Sequence, residues 1–99
     1  MGEEPDGMRI LGLDVGDRRI GVALSDPLGL TAQPVTTVER RDATADVAAI
    51  EALVERHHVE LVVVGLPLTM RGEQGPQANK VVAFTERLRR RLAIPVHLL

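Results

Sequence analysis

Four residues at short spacing carry the chemistry in this chain: a carboxylate, Asp14, two glycines, Gly16 and Gly21, and a cation, Arg19, all within Leu13-Asp14-Val15-Gly16-Asp17-Arg18-Arg19-Ile20-Gly21. Asp14 interrupts the apolar run Ile10 to Val15, where a buried charge costs several kcal/mol unless it is paired, bound to a cation or released to solvent. A lone carboxylate at a strand end suits a hard cation such as Mg²⁺, which takes one or two protein carboxylates and completes its shell with water and phosphate oxygens. The matching chemistry is metal-assisted phosphodiester hydrolysis. Asp17 and Glu73 are the candidate helpers. For Arg18 and Arg19 two readings stay open, contact with a phosphate or simple solvation of a hairpin turn.

The elements that position these residues follow from the pattern. Residues 1–7 read as a disordered lead-in and residues 8–99 as a single α/β domain. Strand one is expected over Arg9 to Val15 and strand two over Arg19 to Ser25, antiparallel through the tight turn. A turn at Asp26 to Gly29 leads to a third strand, Thr31 to Val38, which Pro34 marks as an edge. From Arg41 the period becomes helical: Asp42 or Thr44 can cap a helix with Val47, Ile50, Leu53, Val54 and His57 on one face. Leu61 to Leu66 reads as a central parallel strand covered on both faces. A loop from Pro67 to Pro76 precedes a second helix, Gln77 to Leu92, with a buried stripe of Val81, Phe84 or Thr85, Leu88 and Leu92. Val96 to Leu99 begins a fifth strand, in which His97 is expected to pack.

The order is βββαβαβ, a mixed five-stranded sheet with three antiparallel strands and then two parallel ones reached by right-handed crossovers. Ligands gather at the carboxyl ends of parallel strands. That rule brings Asp14 together with Gly65, Leu66 and Pro67, and with the Thr69 to Gly75 loop, and it sends Asp26 to the opposite end of the sheet.

Composition narrows the function. The 99 residues support one core, burying roughly 60 to 70% of the unfolded surface. Phe84 is the sole aromatic, so no platform exists for stacking single-stranded bases. The net charge of −2 provides no global field for a polyanion, and any nucleic-acid contact must be local. The Lys80 to Arg91 cluster reads as a solvated helix face whose arginines suit the helix's carboxyl-terminal dipole. His57 and His58 end the first helix and are assigned no metal. The absence of cysteine excludes disulfides and thiolate metal sites, and no apolar stretch reaches the ~20 residues of a membrane span. The expectation is a soluble cytoplasmic protein without a membrane partner, monomer or homodimer.

The hairpin Leu13-Asp14-Val15-Gly16 with Arg19-Ile20-Gly21-Val22-Ala23, the Ser25-Asp26 pair, the Val64-Gly65-Leu66-Pro67-Leu68 loop with Gly72, and Gly75-Pro76-Gln77-Ala78 followed by Val81, Phe84 and Leu88 together resemble the YqgF/RuvX family. The resemblance covers Met8 to Leu99. It implies an RNase H-like fold, Mg²⁺- or Mn²⁺-dependent phosphodiester cleavage, and an acidic site whose first member is Asp14 as metal ligand. For a nuclease the candidate substrate contacts are Gly16, Arg19, Gly65, Pro67 and Gly72, with Gly65 and Pro67 shaping the loop so that its backbone can approach a phosphate. Its implied roles are 5′-end processing of pre-16S rRNA in ribosome biogenesis or resolution of Holliday junctions, hence structured RNA or branched DNA as partner. Family members continue past the fifth strand with further acidic positions and a last helix. The expectation is therefore a domain incomplete at its carboxyl terminus, its last helix missing. Two other functions stay open: a non-catalytic nucleic-acid-binding module, and one lobe of a nucleotide-binding phosphotransfer protein of the actin and sugar-kinase type.

Overall fold

The computed structural model describes residues 8–25 and 32–99. The expected lead-in over 1–7, the turn at 26–29 with Asp26, and Thr31 as a strand start lie outside the described residues. The elements are β1 (Ile10–Val15), β2 (Arg19–Ser25), β3 (Ala32–Glu39), α1 (Ala43–Arg56), β4 (Leu61–Val64), α2 (Pro76–Arg91) and β5 (Val96–Leu98). They form one five-stranded sheet in the order β3-β2-β1-β4-β5, antiparallel between β1, β2 and β3 and parallel from β1 to β4 to β5. The expected βββαβαβ architecture is the observed one.

Local chemistry explains the element ends. Asp42 caps α1 by accepting the Ala45 N–H at 2.8 Å, while α2 starts with Pro76 behind Gly75. At the far end of α1, His58 takes a left-handed φ of 54°, the Val59 N–H bonds the Val54 carbonyl at 2.9 Å, and the His58 N–H reaches Glu55. This is a Schellman cap with histidine where glycine is usual, and buried Val59 and Val54 supply its apolar contact. β3 is the edge that Pro34 implied. Val22 pairs with Thr36 but the next residue, Ala23, pairs with Pro34, so Val35 bulges out of the ladder.

Both crossovers step the same way across the sheet, from β3 to β4 and from β4 to β5, so their right-handedness puts both helices on one face. That face is the core. Leu11, Leu13 and Val15 of β1, Ile20 and Val22 of β2, Val62 and Val64 of β4 and Val96 of β5 pack against Val47, Ile50 and Val54 of α1 and Val81, Phe84 and Leu88 of α2. Phe84 and Thr85 are both buried, which resolves the ambiguity in the α2 stripe.

The opposite face corrects two expectations and decides one that was open. Strand β4 is covered on one side only among the described residues: Val62 and Val64 are buried, whereas Leu61 and Val63 are half-buried. His97 is exposed, because alternation in β5 turns Val96 and Leu98 to the core and the histidine outward. Asp14 is exposed as well. Of the three ways for this carboxylate to avoid the cost of burial, release to solvent is the one seen.

Candidate active site

Strand register builds the site. On β1 the core takes residues 11, 13 and 15, so Gly12 and Asp14 face the open side. Across the antiparallel pair Asp14 stands opposite Gly21, and Arg19, two residues earlier on β2, shares that face. On the other flank the Gly65 N–H donates to the Leu13 carbonyl at 3.1 Å, extending the β1–β4 ladder so that Gly65 lies beside Asp14. The carboxylate therefore rises between two residues that have no side chain. A shallow groove of about 400 Å³ follows, lined by Gly12, Asp14, Gly21, Ala23, Val63 and Gly65 among others.

These glycines are not forced by the backbone. A Cβ on Gly21 would meet the Asp14 Cβ at 3.7 Å, and one on Gly65 would meet the Leu13 carbonyl at 3.8 Å, both ordinary contacts. Their effect is room beside the carboxylate. Gly16 differs, since a Cβ there would come within 3.0 Å of the Arg19 carbonyl. Its N–H also closes the turn onto that carbonyl at 2.9 Å.

The structure brings Asp14, Gly16, Arg19 and Gly65 to one end and one face of the sheet, and leaves other candidates apart. Pro67 is exposed and lies off the groove lining, and Gly72 sits in a turn closed by its N–H to the Thr69 carbonyl at 2.8 Å. Its φ of +79° accounts for glycine there. Asp17 faces Lys80 of α2 at 3.6 Å, both strongly exposed, and so turns towards the helical layer. Glu73 belongs to the same loop as Gly72, its N–H bonded to the Thr69 hydroxyl at 3.1 Å.

Two features escaped the sequence reading. Glu39 ends β3 opposite Arg19, on the face that bears Asp14. Continuing the strand-three alternation one residue past Val38 would have found it. The second is Arg40, whose Nη1 donates to the Gly16 carbonyl at 2.6 Å and whose Nε pairs with Asp46 at 2.8 Å. No periodicity signals that contact.

The donor set can be tested against a cation. Among the described residues no three histidine or carboxylate side chains cluster, and the Asp14 carboxylate has no hydrogen-bond or ion-pair partner there. A free carboxylate with open space on both sides fits Mg²⁺ or Mn²⁺ held jointly with water and substrate oxygens, not an all-protein cage. Among the described residues no helix is long and apolar enough to cross a membrane.

Comparison with known proteins bears on this geometry. Residues 8–99 match the RuvX family, described as Holliday junction resolvase. A Moorella thermoacetica protein named "Putative pre-16S rRNA nuclease" is 58% identical over 90 residues, which is 91% of this chain and 64% of that protein. One of the same name from Caldanaerobacter subterraneus subsp. tengcongensis is 55% identical over 89 residues, 90% of this chain and 64% of that protein. The chain thus spans just under two thirds of the length of these curated relatives. Thermus thermophilus RuvC, solved in complex with Holliday junction substrate, aligns with a TM-score of 0.60 at 20% identity, over 93% of this chain and 64% of that one. A Bacteroides thetaiotaomicron protein with an actin-like ATPase fold aligns with a TM-score of 0.56 at 11% identity, over 97% of this chain and 34% of that one. At these identities the structural likeness concerns the fold alone, and the RuvC match agrees with the RNase H-like architecture expected from sequence.

Proposed function

The chain belongs to the RuvX family of Holliday junction resolvases, and on that premise we propose that it carries the strand-one part of a metal-dependent phosphodiesterase site, used to process the 5′ end of pre-16S rRNA in the cytoplasm. The observation that carries this reading is the exposed Asp14 carboxylate at the carboxyl end of β1, set between Gly21 and Gly65 on the face shared with Arg19. The names of the curated relatives favour RNA as substrate. The family description and the RuvC complex favour a second reading, cleavage of a four-way DNA junction.

In the mechanism each group has one task. Asp14 would hold Mg²⁺ or Mn²⁺ through its carboxylate, and Gly21 and Gly65 leave space for a phosphate to approach it. Arg19 offers a guanidinium to a phosphate oxygen on the same face, a contact that positions the backbone without reading sequence. The Gly16 turn holds the two strand ends in register. A bound metal would neutralise phosphate charge and help to activate and orient the attacking water.

The test is cleavage of a pre-16S 5′ RNA and of a four-way DNA junction by the parent and by Asp14→Asn, with and without Mg²⁺ or Mn²⁺. Metal-dependent cleavage that falls to background in Asp14→Asn supports the site, and the substrate that is cut decides between RNA and DNA. Equal cleavage by both forms would rule Asp14 out. Salt-sensitive binding without cleavage under any metal would make the protein a non-catalytic nucleic-acid binder.

A further inference from the structure

We propose that Arg40 is a positioning residue for Asp14, holding the turn that follows β1 so that the carboxylate stands at a fixed place on the open sheet face. The proposal deepens the reading of Asp14 as a metal ligand and rests on it.

Asp14 lies two residues before Gly16, at the end of a strand whose next backbone segment is a tight turn. Such a turn can pivot about the strand ends unless something outside the hairpin restrains it. Arg40, in the link from β3 to α1, does so from both sides. Its backbone N–H donates to the Arg18 carbonyl at 2.9 Å and its Nη1 donates to the Gly16 carbonyl at 2.6 Å. The side chain is itself immobilised. Nε bonds Asp46 Oδ2 at 2.8 Å, and the guanidinium carbon sits 5.2 Å from the centre of the buried Phe84 ring. Asp46 is only 2% exposed, and its other oxygen accepts the Arg41 N–H at 2.9 Å. A continuous set of contacts therefore runs from the cores of α1 and α2 to the backbone beyond Asp14.

Stability alone does not explain this arrangement. A buried ion pair is replaceable by well-packed apolar residues at little or no cost. What an apolar pair cannot do is donate to a turn carbonyl. Lysine could not substitute either, because the geometry uses two separate guanidinium nitrogens, and an ammonium is a single point of charge. The arrangement orients the rim on which Asp14 stands.

The experiment compares the parent with Arg40→Lys and Asp46→Asn, each ¹⁵N-labelled, by amide exchange and by Mn²⁺ titration followed through paramagnetic broadening. Arg40→Lys keeps the charge and removes the fork; Asp46→Asn keeps Arg40 and removes its anchor. The expected result in both is exchange at Gly16 that rises about tenfold more than at Leu11, Leu13 and Val62, the scale of one lost hydrogen bond beyond any change in global stability. Mn²⁺ affinity is expected to drop about 10- to 100-fold, as when a supporting partner of a metal ligand is removed. Unchanged Gly16 exchange and unchanged Mn²⁺ affinity would overturn the proposal. A rise in exchange spread equally over the core amides would also overturn it, since that marks a purely structural role. Asp14→Asn serves as the control: if it binds Mn²⁺ like the parent, the ligand reading fails, while the Gly16 exchange still reports whether Arg40 holds the turn.

Discussion

Asp14 and Gly21 stand directly opposite each other across β1 and β2, so the one carboxylate on that strand faces a residue with no side chain. Replacing Gly21 with valine would fill that space. The added Cβ meets the Asp14 Cβ at 3.7 Å, an ordinary contact, and valine favours a strand, so stability is expected to hold or rise by up to about 1 kcal/mol. Mn²⁺ and nucleic-acid binding are expected to fall sharply. A thermal melt combined with a Mn²⁺ titration checks both halves, and a variant that binds as well as the parent would remove the case for an access route there.

Arg40 and Asp46 form an ion pair that is 25% and 2% exposed at its two ends. Truncating Asp46 to alanine leaves a guanidinium partly buried without its partner, and unfolding stability is expected to fall by about 3 kcal/mol. The double variant Arg40→Met with Asp46→Leu is expected to recover most of that loss. Urea denaturation of the three proteins measures both the loss and the recovery.

The Schellman cap at His58 predicts a stabilising change. Glycine adopts a φ of 54° without the crowding that a Cβ brings, so His58→Gly is expected to raise stability by roughly 0.5–1 kcal/mol. A higher urea midpoint at unchanged slope would show it, and a lower midpoint would mean that the imidazole makes a contact worth more than the strain.

Asp17 provides the contrast with Asp14. Its pair with Lys80 spans 3.6 Å between side chains 68% and 67% exposed, where solvent screening leaves little energy. Asp17→Asn is expected to change stability by less than about 0.5 kcal/mol and to leave Mn²⁺ affinity at the parent value. A clear loss of affinity would restore Asp17 as a ligand.

Much of this was legible from residue order. The hairpin is spelled by Gly16, Asp17, Arg18 and Arg19 between apolar runs, the α1 start by Asp42, and the β3 edge by Pro34. The shared end of β1 and β4 follows from their running parallel. What the order hid was which face each residue takes. A continuous run such as Ile10 to Val15 fits either parity, so residue order leaves open whether Asp14 is paired, bound to a cation or released to solvent, and the register with β2 and β4 puts it outside. The same ambiguity misled the reading of Val63 and His97. Arg40 and Asp46 were hidden for another reason. Charged residues around a helix start read as capping and solvation, and only tertiary packing over Phe84 makes them a clamp.

The bulge at Val35 bears on what the β3 edge of the sheet can pair with. An exposed flat β3 would offer a row of free N–H and C=O groups to any neighbouring extended chain. Pro34 removes one donor from that row, and the extra residue beside it twists the strand out of plane, so the outer rim of the sheet is a poor template for edge-to-edge addition. Straightening it, by deleting Val35 and replacing Pro34 with threonine, would leave the β3 edge flat and open to a neighbouring strand.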